Sequence, residues 1–335
     1  MPWLTPIVFK QGQEEPVTRI PLYGDGPRAL RFRHVVHVYK DTAVPANTAV
    51  QSITFESIRQ ASQFAAPEYP VTCVAVAYPT DMDLVPPGVV TGRPLQRFVT
   101  DIAKFGVHRP LPLLFDVLRS GASADIVDRS SAGRWNRFVD SFRRGPSRNG
   151  TAQSGEVEYL VLTNSDIHLQ PAFYRVLAEL IRQGYDAITV NRRTLVMDTE
   201  ERTFSPLFLA ERGTDHPGFD CFVFPTSMLD SFAGNDCCCG AGYVMRSLLF
   251  NLVAHARRFL MLTHAQMTYH LGDDQHWAAP AFADYVDFNA SQAKAVIATL
   301  ARDPAKAKRL ADFIGAHEDE VFRQFMSAND LLETH

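Results

Sequence analysis

Apolar residues in this chain arrive in short, nearly unbroken runs separated by stretches with helical spacing. His34-Val35-Val36-His37-Val38-Tyr39 is a β-branched run of strand length. The stretch from Ser52 to Ala65 follows, with Ile53, Ile58, Ala61 and Phe64 at helical intervals, and then Val71 to Ala77 forms a second, almost continuously apolar strand. This is a β-α-β unit. Strands apolar on both faces suit a parallel sheet covered by helices, and a crossover of this length suits a right-handed connection. The rhythm repeats with a strand over Val157–Thr163, an amphipathic helix over Pro171–Gln183 and a strand over Ala187–Val190. A short apolar helix is expected over Leu111–Leu118, further strands over Phe219–Phe224 and Met267–His270, and a helix over Val244–Phe259. From about Asp284 the pattern is helical. The expected fold is α/β, a doubly wound, mostly parallel sheet, with residues 31–280 as the main domain and 281–335 as a C-terminal helical appendage. Residues 1–30, with five prolines, read as an irregular lead-in, and no internal repeat is visible.

Composition narrows the partners more than the fold. With 335 residues, 46% hydrophobic and 21% charged, the chain can bury one large core or two smaller ones. A net charge of -4 supplies no basic field for nucleic acid or an anionic membrane, so neither is expected as a partner. No apolar run approaches the roughly 20 residues of a membrane span, and Met1–Glu15 lacks a basic-then-apolar leader, so a cytoplasmic protein is expected. Five cysteines, three of them consecutive at Cys237–Cys239, fit a reducing compartment and read as small buried thiols rather than a metal cluster. Six arginines between Arg129 and Gly150 read as a solvated basic loop, with approach to a pyrophosphate as the alternative.

Candidate chemistry collects where strands end. The turn Asn164-Ser165-Asp166 leaves an apolar strand at its carboxyl end, just before Pro171 opens a helix. A carboxylate there can hold Mg or Mn through oxygen while the ion keeps sites for diphosphate oxygens; the alternative is that Asp166 only caps the helix. The segment His270-Leu271-Gly272-Asp273-Asp274-Gln275-His276-Trp277 runs out of another strand, and His270 is the candidate second ligand beside Asp166. Asp81 follows the second strand at the end where open α/β sheets bind ligands, or is a turn residue in a Pro-rich loop. Gly24-x-Gly26 and Gly240-x-Gly242 are isolated pairs without a P-loop lysine. His255 is expected to face solvent, and the sequons at Asn149 and Asn289 carry no meaning without secretion.

Taken in order, the Asn-Ser-Asp turn, the strand ending Asn191-Arg192-Arg193, the segment His216-Pro217-Gly218-Phe219-Asp220-Cys221-Phe222-Val223-Phe224, and His270-Leu271-Gly272 with Trp277 resemble the parts of A-type (GT-A fold) nucleotide-diphospho-sugar glycosyltransferases. The resemblance covers roughly Arg33 to Trp277. It implies a DxD-type metal and diphosphate site at Asn164, Ser165 and Asp166, with His270 as a late ligand. Asn164 stands where that motif has its first acid. The resemblance also implies that His37–Asp41, Tyr39 included, and Asp81 hold the nucleobase and ribose. Arg192 and Arg193 are candidates for phosphate oxygens. Asp220, two residues after Gly218 in the donor-side segment, is the candidate general base, in competition with Asp215, Asp236, Asp273 and Asp274.

The expected activity is metal-dependent glycosyl transfer from a nucleotide-sugar donor, UDP-sugar foremost, to an unidentified acceptor, with Mn or Mg as cofactor. One alternative is a nucleotidyltransferase that makes sugar nucleotides; Lys40-Asp41-Thr42-Ala43-Val44-Pro45 lacks the glycine cradle it would need. The other is a non-catalytic sugar-nucleotide-binding protein of the same fold, for which Asn164 is the best support.

Overall fold

A computed structural model describes residues 29–40, 45–95, 111–123, 156–195, 210–271 and 280–316. The first β-α-β unit is present as β1 (Ala29–His37), α1 (Pro45–Ala65) and β2 (Val71–Val76), followed by a 3-10 turn over Pro79–Leu84 and a short β3 (Val90–Thr91). After α2 (Leu114–Ala122) come β4 (Glu156–Thr163), β5 (Ile167–Leu169), α3 (Phe173–Arg182), β6 (Ala187–Leu195) and β7 (Thr214–Pro225). The remainder is α4 (Val244–His255), β8 (Phe259–Leu262), β9 (Thr268–Leu271), α5 (Ala283–Leu300) and α6 (Pro304–Ala316).

The described strands form one sheet in the order β3-β2-β1-β4-β7-β6-β9-β5, with β8 also on β6. Five of the eight described pairings are parallel, so the sheet is mostly parallel, as expected. β7 departs from that rule, running antiparallel between β4 and β6. Strands buried on both faces are apolar throughout, so their pattern does not carry direction.

Successive residues on each strand face opposite layers, and both layers are covered. Val35, Leu160, Leu162, Phe222 and Phe224 pack beneath α2 and α4, with α5 and α6 lying on α4. Val36, Val161, Val223 and Ile188 pack beneath α1 and α3. The sheet is doubly wound. The helical part expected after Asp284 is present as α5 and α6, and Val296, Leu300, Leu310 and Phe313 join the first of these layers.

Two local expectations are corrected. α4 ends at His255, not Phe259, because both carboxylate oxygens of Asp186 accept from the successive main-chain N–H groups of Arg257 and Arg258, at 3.0 and 2.8 Å, and draw the chain out into β8. Phe64 is not a core residue: it is 51% exposed, with the Arg175 guanidinium over its ring.

His255 is half-buried rather than solvent-facing, accepting from Lys306 Nζ at 2.9 Å. Cys237 and Cys238 are buried, as expected of small packing thiols, with burial raising both to about 12. Asn289 is fully buried and uses its amide to clip the main chain at Cys238 and Gly242, so its sequon is closed whatever the compartment. The Arg129–Gly150 loop, Asn149 and Trp277 lie outside the described residues. Among the described residues no helix is long and apolar enough to cross a membrane.

Candidate active site at the carboxyl edge of the sheet

Strand direction decides which residues meet. β1, β2 and β4 are mutually parallel, so the exits at Tyr39, Asp81 and Asn164–Asp166 share one edge. β7 enters from that same edge with Cys221 opposite Thr163, which sets Asp220 beside Asn164. β6 ends there too, and β9 runs parallel to it with Thr268 opposite Arg192 and His270 opposite Thr194. β5 then pairs Ile167 with His270, bringing the residue before it, Asp166, onto the imidazole. The two turns singled out in the sequence, 104 residues apart, are thereby joined: His270 Nε2 and Asp166 Oδ2 lie 3.1 Å apart.

Irregular pairing exposes the rest. β6 and β7 pair Val190 with Cys221 and then Asn191 with Phe219, which leaves Asp220 as the extra residue of a bulge. The next pairing, Arg193 with Asp215, leaves His216–Gly218 opposite Arg192 alone. Pro217 has no N–H to give to a ladder, so its presence fits the break. Arg192 Nε lies 3.3 Å from Asp220 Oδ2, and Asn164 Nδ2 donates to Asp220 Oδ1 at 3.1 Å. Arg192 also reaches His216 Nδ1 at 3.4 Å; because guanidinium only donates, that nitrogen is the acceptor. A side chain at Gly218 would put its Cβ 3.0 Å from His216 Nε2, so glycine leaves room for this imidazole.

Electrostatics set Asp166 apart. Burial alone would raise it, but the charge and hydrogen bond of His270, with Arg192 and His168 further off, hold its carboxyl well below the usual carboxylate range. Its side chain as a whole is 32% exposed, but that exposure does not reach Oδ1, which is buried. Its Oδ1 has no hydrogen-bond partner in the structure. Two histidines behind it are neutral: burial lowers His34 to about 3 and His168 to about 4.

The remaining candidates are placed as follows. Ser165 is buried with its carbonyl held by Thr54 Oγ1 at 2.7 Å. Arg193 donates to the carbonyls of Arg212 and Gly213 at 2.9 and 2.7 Å, away from the Asp220 cluster that engages Arg192. Tyr39 is half-buried and stacks on His37, with ring centroids 5.7 Å apart. Asp81 is buried in the first turn of its 3-10 helix and accepts from Thr80 Oγ1 at 3.2 Å. Asp236 is exposed, its main-chain N–H bonded to Gln292 of α5. Asp273 and Asp274, and the side chain of Asp215, lie outside the described residues.

Sequence reasoning passed over Gln51, Thr54, Ser57, Thr163 and His216. The first three are polar residues at helical intervals, a pattern that by itself does not tell a water-facing position from one bonded to main chain.

No protein-family model matches the sequence, nor does any curated protein. Among solved structures the fold is similar to residues 1–349 of Staphylococcus aureus TarS in complex with UDP-GlcNAc, at 10% identity and TM-score 0.36, covering 88% of this chain and 82% of that one. The UDP complex of TarS gives 11% identity and TM-score 0.37, covering 89% and 74%. A protein of Desulfovibrio desulfuricans G20, provisionally called a nucleotide-diphospho-sugar transferase, gives 12% and 0.31, covering 81% and 98%.

Proposed function

We propose that the chain is a metal-assisted glycosyltransferase that moves a sugar from a nucleoside-diphosphate donor to a hydroxyl-bearing acceptor. The observation that carries this reading is the Asp166–His270 pair. The pair stands at 3.1 Å as a hydrogen bond, and about 3 Å is also the separation of two ligand atoms at about 2.1 Å from one octahedral ion, at right angles to each other, so an ion would replace the shared proton with little movement. Among the described residues no third His, Cys, Asp or Glu joins them. That suits Mg or Mn, which is commonly held by one or two protein ligands with substrate phosphates and water completing the shell. The Oδ1 of Asp166, buried and without a hydrogen-bond partner, is a polar atom that an ion bound at the carboxylate would satisfy. When bound, the ion would neutralise charge on the departing diphosphate.

The chain's own groups would do the rest. Arg192, aimed by Asp220, presents fixed positive charge beside the pair, which is electrostatic stabilisation prepared in advance. Tyr39 and Asp81, one and two strands away along the same edge, would hold the nucleoside, with the Asp81 carboxylate accepting from a base N–H. Asp220 is the candidate base for the acceptor hydroxyl, two residues beyond Gly218, whose lack of a side chain makes room for the His216 imidazole.

A purely binding role draws its support from Asn164 in place of an acid. The structure gives that asparagine a local reason, since its amide donates to Asp220 and a carboxylate could not. The test is calorimetric titration with UDP-, GDP- and dTDP-sugars, with and without Mn2+, repeated on Asp166→Ala. Metal-dependent binding of one donor that disappears in the variant is expected; no binding by any donor overturns the proposal.

A further inference from the structure

Helix α1 carries a buried polar stripe where a helix covering a sheet would ordinarily be apolar. Gln51, Thr54 and Ser57, at i, i+3 and i+6, are 4%, 0% and 1% exposed. Such spacing puts them on one face. None of them serves the helix as a cap, because Pro45 begins it well upstream. Each instead bonds the main chain of the candidate site. Gln51 Nε2 donates to the Tyr39 carbonyl at 2.6 Å, and the Tyr39 N–H returns to Gln51 Oε1 at 3.4 Å. Thr54 Oγ1 donates to the Ser165 carbonyl at 2.7 Å. Ser57 Oγ accepts from the Leu169 N–H at 3.0 Å and donates to the Thr54 carbonyl at 2.7 Å.

The residues held are the exit of β1, the middle of the Asn164-Ser165-Asp166 turn, and the end of β5. Ser165 is itself buried and its turn leaves the sheet ladder, so its carbonyl depends on a side-chain donor. Leu169 lies three residues beyond Asp166, which means Thr54 and Ser57 grip both sides of that carboxylate. On the other side of the sheet edge, Gln51 fixes the main chain that presents Tyr39. Burying three polar side chains costs stability unless each is bonded, and here every one is bonded to this edge.

Resting on the glycosyltransferase reading above, we infer that the Gln51–Thr54–Ser57 stripe is a strut that sets Asp166 against His270 and fixes its distance from the nucleoside-binding half. Thr54 is the positioning residue at its centre. Its hydroxyl is spent on the Ser165 carbonyl, so it would act on neither metal nor donor directly but on the main chain from which the Asp166 carboxylate projects. Such outer partners of a metal site typically change affinity by 10–100-fold when removed.

The test is calorimetric titration of the full chain with UDP in the presence of Mn2+, and with UMP in the absence of metal. Thr54→Val keeps shape and removes the hydroxyl; Thr54→Ser keeps the hydroxyl and removes a methyl. The expected result is a loss of roughly 10–100-fold in Mn2+-dependent UDP affinity for Thr54→Val, recovered to within about threefold by Thr54→Ser. Metal-free UMP binding should be unchanged in both. Should Thr54→Val fail to fold, Thr54→Ala, which also lacks the hydroxyl and adds no bulk, takes its place with the same expectation. Equal affinities in Thr54→Val and the unmodified protein overturn the strut. So does a serine variant as weak as the valine variant, or an equal loss of UMP binding, which would mark general destabilisation. Failure of the unmodified protein to bind Mn2+ and UDP overturns the functional reading itself, and the strut with it.

Discussion

Asn164 donates to one oxygen of Asp220 at 3.1 Å and Arg192 forms an ion pair with the other at 3.3 Å, which ties the end of β4 to the end of β6 through a residue of β7. The amide of Asn164 is therefore matched to its neighbour. Restoring an acid at this position, Asn164→Asp, should harm the protein: a donor is lost and two carboxylates are brought to contact distance. We expect a loss of about 1–3 kcal/mol at pH 7 in urea denaturation, shrinking as the pH falls and one of the two takes a proton. A variant as stable as the parent would show that the contact at Asp220 is dispensable.

Asp220 has two roles to separate, aiming Arg192 and accepting a proton. Asp220→Asn keeps size and an acceptor oxygen. If Asp220 is the base, kcat falls by about 10²–10⁴-fold while donor affinity changes less than tenfold. A fall in donor affinity with kcat preserved would assign it to the support of Arg192 alone. Steady-state kinetics with the donor found by titration distinguishes the two.

Arg192 and Arg193 are adjacent in sequence but opposite in task. Arg192→Lys loses the planar fork that meets Asp220 and His216, and should weaken binding of the diphosphate by about tenfold or more. Arg193→Lys should leave that binding unchanged and lower stability instead, because its guanidinium serves two main-chain carbonyls. Paired calorimetric and urea-denaturation measurements on the two variants check the separation.

Acid should find a weak point under β1. His34 is completely buried, bonded to Tyr174 Oη at 2.7 Å and Thr163 Oγ1 at 2.8 Å, and burial lowers it to about 3. In the unfolded chain it would titrate near its ordinary value of about 6.5. Between those values the unfolded chain holds the extra proton, so stability is present above about pH 6.5 and is lost as the pH falls towards 3. The slope from this residue approaches about 1.4 kcal/mol per pH unit. His34→Gln should remove that part of the slope in denaturation curves taken from pH 7 to 4; an unchanged slope would show that His34 is not the group responsible.

Much of the fold could be read from the chain, and the reasons are particular. Val35-Val36, Val74–Ala77 and Leu160–Leu162 are apolar on both faces because helices cover both, which fixed them as buried strands. The same completeness hid the reversal of β7, and three-residue β5 is too short for a pattern of its own. At the candidate site, Asp166 and His270 were legible as chemistry at strand ends, and the register of β5 on β9 explains why they meet. Asp220 was legible as a residue but not as a bulge, since a bulge depends on the partner strand. Gln51, Thr54 and Ser57 went unread because a short polar side chain on a helix looks the same whether it faces water or main chain.

The last two helices have a consequence for how the protein comes into being. Val296 and Leu300 of α5 and Leu310 and Phe313 of α6 pack over α4, which itself covers β6 and β7, and Asn289 stitches the main chain at Cys238 and Gly242. During synthesis the outer face of α4 has neither helix over it until residues near 313 have emerged from the ribosome. Between the emergence of α4 and that of α6 the nascent chain therefore carries an uncovered apolar helix face, the condition under which chaperones bind and unfinished chains associate.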